Sequence, residues 1–138
     1  MGESEFDLLL SSDINTSSYT QWFYFKVSNA GGLTVPATFN IVNLMKSSSL
    51  YSKGMKVLIQ SSLNSVWVRG GSNILYSRNN FQLNSNSPRT YSTLRFCYTF
   101  QPGESVYFAY THPYTYSQLC GDLDQLEATH LHSRIFWR

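Results

Sequence analysis

Charge is what this 138-residue sequence most lacks. Asp, Glu, Lys and Arg supply 13% of it, about half the usual share. The ten cations and eight acids are scattered singly and leave a net charge of +2. That excludes the basic stripe of a nucleic-acid binder and the charged tail of a disordered chain. Cysteine is scarce too. Cys97 and Cys120 are too few for a disulfide framework and lack any C-x-x-C spacing. Cys97 falls in a strand pattern and Cys120 in a helical one, and both read as buried free thiols. Long hydrophobic runs are absent. The stretch Phe6 to Leu10 is too short for a signal peptide or a membrane span. Phe6 also stands where a myristoylation signal wants Ser or Thr. The reading is of a soluble, cytoplasmic chain with neither nucleic acid nor membrane as partner, and its length predicts one domain spanning residues 1–138.

Aromatics, at 16%, are what the sequence has in place of charge, with Ser, Thr and Asn supplying the polarity. They concentrate in TQWFYFKV, Thr20 to Val27. Strand alternation puts Phe23, Phe25 and Val27 on one, wholly apolar face and Trp22, Tyr24 and Lys26 on the other. Further strands are expected at Phe6–Leu10, Pro36–Leu44, Lys56–Gln60, Ser65–Arg69, Asn73–Ser77, Tyr91–Phe100 and Glu104–Tyr110. Pro36–Leu44 carries apolar residues on both faces, Phe39 and Ile41 against Val42 and Leu44. Asn29 with Gly31-Gly32, and then Gly70-Gly71, read as hairpin turns, the first needing positive φ. Gln101-Pro102-Gly103-Glu104 reads as a type II turn closing a third hairpin. After Pro113 the period changes. Thr115 and Gln118 are spaced as a capping box, and Tyr116, Leu119, Cys120, Leu123 and Leu126 recur at helical spacing to about Thr129. The strand-like Ile135–Arg138 has no following partner, which reads as a chain cut short. The fold class expected is mainly all-β, an antiparallel sandwich with one C-terminal helix.

Catalytic groupings are missing. His112, His130 and His132 are the only histidines, and no H-E-x-x-H, His-x-x-Glu or paired-Cys pattern supplies the further ligands zinc needs. No G-x-S-x-G elbow or glycine-rich phosphate loop is present. Asp122, Asp124 and Glu127 fall along the polar side of the expected helix. This chain alone is therefore expected to be no enzyme, with no cofactor or metal of its own. The open question is the aromatics. Trp22, Tyr24, Trp67, Tyr76, Tyr107 and Tyr110 would serve as a stacking platform for a ligand, or as core and interface residues.

Several unusual stretches occur in order: Asp7–Asn15, Gln21–Asn29, Phe39–Leu44, Leu50-Tyr51, Gly54-Met55, Trp67 with Asn73-Ile74, Phe108–Leu119, Leu126-Glu127 and the closing Ile135–Arg138. Together they resemble the N-terminal domain of the cytosolic carboxypeptidases, a branch of the zinc carboxypeptidases. The resemblance implies a β-sandwich directly before a metallocarboxypeptidase domain that holds the zinc and removes glutamates from polyglutamylated tubulin and other proteins. It carries no catalytic or zinc position onto this sequence. It implies that Pro113-Tyr114-Thr115-Tyr116 leads toward the catalytic domain. The expected job is to support folding of that domain and shape access to its active site. Trp22, Tyr24, Pro113, Tyr114 and Tyr116 are the expected interface residues. Lys26, Arg69 and Arg78 are candidates for steering acidic substrates. The alternative is a free-standing module that binds acidic peptides or glycans on an aromatic platform. Exposed aromatics also make self-association of the isolated domain an expectation.

Overall fold

The computed structural model describes residues 4–15, 19–83 and 85–129. His130, His132 and the strand-like Ile135–Arg138 lie outside them. Among the described residues, eight strands form two four-stranded sheets. One has the order β1 (Ser4–Leu8), β3 (Val35–Leu44), β7 (Thr90–Phe100), β6 (Ser72–Gln82). The other has the order β2 (Tyr24–Ser28), β8 (Ser105–Ala109), β4 (Val57–Ser61), β5 (Asn64–Gly70). A 14-residue helix, α1 (Tyr116–Thr129), follows. The architecture is the expected mainly-β sandwich with one C-terminal helix. One pairing departs from the antiparallel rule: β1 and β3 run parallel, Phe6 beside Phe39. The reason is that β2, between them in sequence, belongs to the other sheet.

The core is phenylalanine packed between the sheets. Phe39, Phe96, Phe100 and Phe108 are buried, with ring centroids 5.3–6.3 Å apart in tilted and edge-on pairs. Leu94, Val106 and Ile41 complete it. Leu44, assigned by alternation to the opposite face from Ile41, is also buried in this core. A bulge explains it: between Ile41 and Leu44 the register against β7 slips, so the extra residue flips the later side chain inward.

All three turn signals read as hairpins are instead passages between the sheets. β2 and β3, β5 and β6, and β7 and β8 lie in opposite sheets. Gly31 and Gly32 do not take positive φ. Asn29 acts there as a clamp, its amide donating to the carbonyls of Leu33 (2.8 Å) and Gln101 (2.9 Å). At the second passage a single residue, Gly71 at φ 84°, separates β5 from β6, and Gly70 before it passes so close to Ile59 that a Cβ would lie 2.3 Å from Cδ1. Sandwich corners are made where a strand bends from one sheet into the other. The third turn has the expected form, Gly103 at φ 70° and a 3.1 Å bond from the Glu104 N–H to the Gln101 carbonyl. The hairpins within a sheet are β4–β5, joined by Ser62-Leu63, and β6–β7.

The loop after β3 contains a 3-10 turn, Leu50–Lys53, capped by the Ser49 hydroxyl and closed by Gly54 at φ 94°. It drives Tyr51 into the core beside Tyr76 and Tyr110. Helix α1 starts as the sequence predicts. Gln118 N–H donates to Thr115 Oγ1 (3.2 Å) and Thr115 N–H to Gln118 Oε1 (2.8 Å), a reciprocal capping box. None of its residues is buried, so the apolar stripe of Tyr116, Leu119 and Leu126 stays exposed. The two cysteines, expected to be buried, form no disulfide and are only half-buried. Cys97 lies beside Thr38 on the outer side of its sheet, with Thr38 Oγ1 3.1 Å from its sulfur.

Candidate functional site

The outer faces of the two sheets differ in chemistry. On the β1-β3-β7-β6 sheet the side chains close a polar network. Glu5 bridges Arg95 at 2.8 Å, and the Asn40 amide donates to both Glu5 (2.9 Å) and Asp7 (2.8 Å). On the other sheet the outer face is aromatic.

Strand alternation builds that aromatic face. In β2, Phe25 and Val27 turn to the core, as does Phe23 just before it, and Tyr24 and Lys26 turn out. The Trp22 side chain continues the outer side and is half exposed (50%). Tyr24 stacks on Tyr107 of β8 at 5.6 Å and meets Trp22 at 6.1 Å and Trp67 of β5 at 6.3 Å. Register places Tyr24, Ala109, Leu58 and Arg69 in one row across the four strands. Ala109 and Leu58 are buried although they alternate away from the core, on the face where the rings of Tyr24 and Trp67 meet. The Lys26 ammonium lies 5.6 Å from the Tyr107 ring centroid, a cation–π contact.

This layer runs directly into the segment before the helix. Trp22 Nε1–H donates to Thr111 Oγ1 at 3.2 Å, and His112 meets Trp67 edge-on at 6.3 Å. Pro113 is half-buried, and Tyr114 and Tyr116 are exposed, Tyr116 by 80%. Tyr114 OH donates to Asp122 Oδ2 at 2.5 Å, tying the segment to the helix. That bond to a carboxylate pushes the Tyr114 phenol above its ordinary pKa. The structure therefore joins Trp22 to the segment containing Pro113, Tyr114 and Tyr116.

Of the six aromatics read as one group, four share the outer face: Trp22, Tyr24, Trp67 and Tyr107. Tyr76 and Tyr110 do not. Both pack with Tyr51 at the core, and Tyr76 OH donates to the Lys46 carbonyl at 2.5 Å. Burial raises the pKa of Tyr51 and of Tyr76. Of the three cations, Lys26 and Arg69 lie on the aromatic face, with Arg69 bonded to the Lys56 carbonyl at 2.7 Å. Arg78 belongs to the other sheet, opposite Ser92. Thr111 and His112 are members that sequence reasoning missed; their position immediately after Tyr110 was the available signal. Among the described residues, no three His, Cys, Asp or Glu side chains gather as metal ligands, so zinc chemistry finds no fitting donor set in them. No helix of the described residues is long and apolar enough to cross a membrane.

Residues 1–111 match the family described as the cytosolic carboxypeptidase N-terminal domain. Among curated proteins, the chain is similar to cytosolic carboxypeptidase 1 of Gallus gallus, 42% identical over 99% of this chain and 12% of the relative. Cytosolic carboxypeptidase 4 of Mus musculus is 39% identical over 99% of the chain and 13% of the relative. Cytosolic carboxypeptidase 2 of Xenopus tropicalis is 40% identical over 89% and 13%. The chain thus spans about an eighth of the relatives it matches. A sandwich with one polar and one aromatic outer face, matched over four fifths of its length, belongs to the family of cytosolic carboxypeptidase N-terminal domains.

Proposed function

We propose that this domain is the non-catalytic N-terminal domain of a cytoplasmic zinc metallocarboxypeptidase, and that its aromatic face is where the catalytic domain docks. Docking would support folding of the catalytic domain and shape access to its active site. The parent enzyme would remove glutamates from polyglutamylated tubulin and other proteins, with the zinc held outside these residues. One observation carries the reading. The indole of Trp22 is hydrogen-bonded to Thr111, so the uncovered aromatic layer and the uncovered Tyr114–Tyr116 segment form one surface. Apolar rings with a polar atom at one end suit contacts that are buried at the centre and wet at the rim. Lys26 and Arg69 sit at its margin, where they would favour acidic chains; Arg78, on the other sheet, would act only at long range.

The test is a chimera in which this chain replaces the matched region of Gallus gallus cytosolic carboxypeptidase 1. Trp22→Ala and Tyr114→Ala together should lower its soluble yield and its carboxypeptidase activity. Unchanged yield and activity would remove the docking role. A ligand platform is the second reading, favoured by the Tyr24–Tyr107 stack. It requires that polyglutamate or an oligosaccharide shift the Trp22 and Trp67 resonances of the isolated chain.

A further inference from the structure

The geometry points to a strand-addition site along the free edge of β2, and we propose that an extended segment of the parent polypeptide outside residues 1–138 completes the sheet there. This deepens the docking reading and rests on it.

The hydrogen-bond parity of β2 is the first observation. Tyr110 N–H donates to the Phe23 carbonyl (3.0 Å) and Asn29 N–H to the Glu104 carbonyl (2.8 Å). With Phe25 opposite Phe108 and Val27 opposite Val106, the odd-numbered residues are the ones whose backbones bond to β8. The N–H and C=O groups of Tyr24, Lys26 and Ser28 therefore point the other way. Among the described residues, β2 is the last strand of its sheet on that side. A row of unpaired backbone groups is a template for another strand.

The groove beside that edge is the second observation. About 640 Å³ of open space separates β2 from β1, the edge of the facing sheet. It is lined by every residue from Trp22 to Val27, in and out alike, as fits a strand that presents its side to the space. Its walls are apolar: Phe6 and Leu8 on one side, Phe25 and Val27 on the other, Phe39 at the base. Phe6 is stacked on Phe39 yet remains 47% exposed. A strand paired to Tyr24, Lys26 and Ser28 would drop alternate side chains into this space. Its other side chains would extend the aromatic face beyond Trp22 and Tyr24. This is β-augmentation, with main-chain bonds giving affinity and a pocket for alternate residues giving specificity.

Charge and length choose the occupant. Lys26 is the cation on the outer side of this edge, whereas the acids of the opposite wall, Glu5 and Asp7, are bonded to Asn40 and Arg95 on the polar face. The complementary strand is apolar on its inward residues and acidic on the outward residue beside Lys26. A second copy of β2 fits poorly, since antiparallel self-pairing centred on Lys26 sets two ammonium groups opposite each other. The relatives are matched over only 12–13% of their length, so nearly all of their polypeptide lies elsewhere. A tethered segment is present at high effective concentration.

Hydrogen exchange of the chimera against the isolated 138-residue chain tests the proposal. The Tyr24, Lys26 and Ser28 amides should exchange about tenfold or more slowly in the chimera. Lys26→Pro should return the Tyr24 and Ser28 amides to the rates of the isolated chain, and Lys26→Ala should not. Proline at 26 removes an outward donor and leaves the bonds to β8 intact. Equal rates for the three amides of the unmutated proteins overturn strand addition, whatever Lys26→Pro does to folding. Iodide quenching of tryptophan separates the two readings. Amides unprotected with Trp22 shielded in the chimera leaves docking standing without strand addition. Neither change removes both.

Discussion

The carboxylate of Glu104, 2% exposed, accepts a hydrogen bond from the Tyr98 hydroxyl at 2.9 Å beside the turn that carries the chain from β7 to β8. It also accepts the Gln101 N–H at 2.7 Å and the Ser61 hydroxyl. One buried anion thus holds together β4, β7 and the passage between the sheets. Burial favours the protonated acid, but the bonds from Ser61, Gln101 and Tyr98 outweigh it and leave the carboxyl below the ordinary glutamate range. A depressed folded pKa means stability that is complete above the ordinary range and lost as pH falls through it toward the folded value. Glu104→Gln should cost about 1–3 kcal/mol at neutral pH. Urea midpoints of the two proteins should converge on acidification, and a gap that stays constant would refute the role.

The partner tyrosine makes a separate prediction at the alkaline end. Burial first, then the bond to Glu104 and its charge, push the Tyr98 phenol up to about 12. A raised folded pKa means stability present below the unfolded value and lost as pH rises through the folded one. The alkaline absorbance titration should lose one late tyrosinate step in Tyr98→Phe. In Glu104→Gln that step should move to lower pH, because a negative neighbour has been removed.

Core and face should separate cleanly by mutation. Phe39 touches the rings of Phe6, Phe25, Phe96, Phe100 and Phe108, so Phe39→Ala should cost about 3–5 kcal/mol. Trp22 is half exposed with one side-chain bond, to Thr111, and Trp22→Ala should cost about 1 kcal/mol or less in the isolated chain. Thermal unfolding of the two variants measures the contrast. A large loss from Trp22→Ala would make it a structural residue rather than a docking one.

Local periodicity was legible in the sequence because it needs no partner. The alternation in Thr20–Val27 assigned Phe23, Phe25 and Val27 inward and Trp22, Tyr24 and Lys26 outward, and the structure agrees. The Thr115–Gln118 box was legible for the same reason. Glycine turn signals marked where the chain bends but not where it goes. Gly70-Gly71 looks alike in a hairpin and in a corner, and only the pairing of β6 with β7 decides. Tyr76, Tyr107 and Tyr110 share one residue type, and distant neighbours decide which face each covers. Glu104, the most consequential polar residue of the core, was hidden behind its role as the last position of a turn.

The β5–β6 corner needs space at Gly70 but backbone conformation at Gly71. At Gly71, φ 84°, a Cβ would meet its nearest atoms, the Cys97 carbonyl oxygen and Val57 Cγ2, at an ordinary 3.5 Å. Gly71→Ala should therefore lose about 1–2 kcal/mol from left-handed strain alone. Gly71→Asn should lose less, because Asn tolerates that region. Equal losses in denaturant unfolding would show that crowding, not φ, sets the cost.

The helix yields the prediction that distinguishes a local from a global role. No residue of α1 is buried, so its 14 residues rely on the capping box and the Tyr114–Asp122 bond rather than on a packed face. Isolated helices of that length are marginal in water. Thr115→Ala should remove about 1 kcal/mol of cap and lower the helical circular dichroism of the isolated chain. The cooperative unfolding temperature of the sandwich should stay where it is. In the chimera, where the stripe of Tyr116, Leu119 and Leu126 would be covered, the same substitution should leave the amide protection of the helix nearly intact. Protection lost equally in both proteins would mean that the stripe stays uncovered, and that docking does not extend beyond the aromatic face.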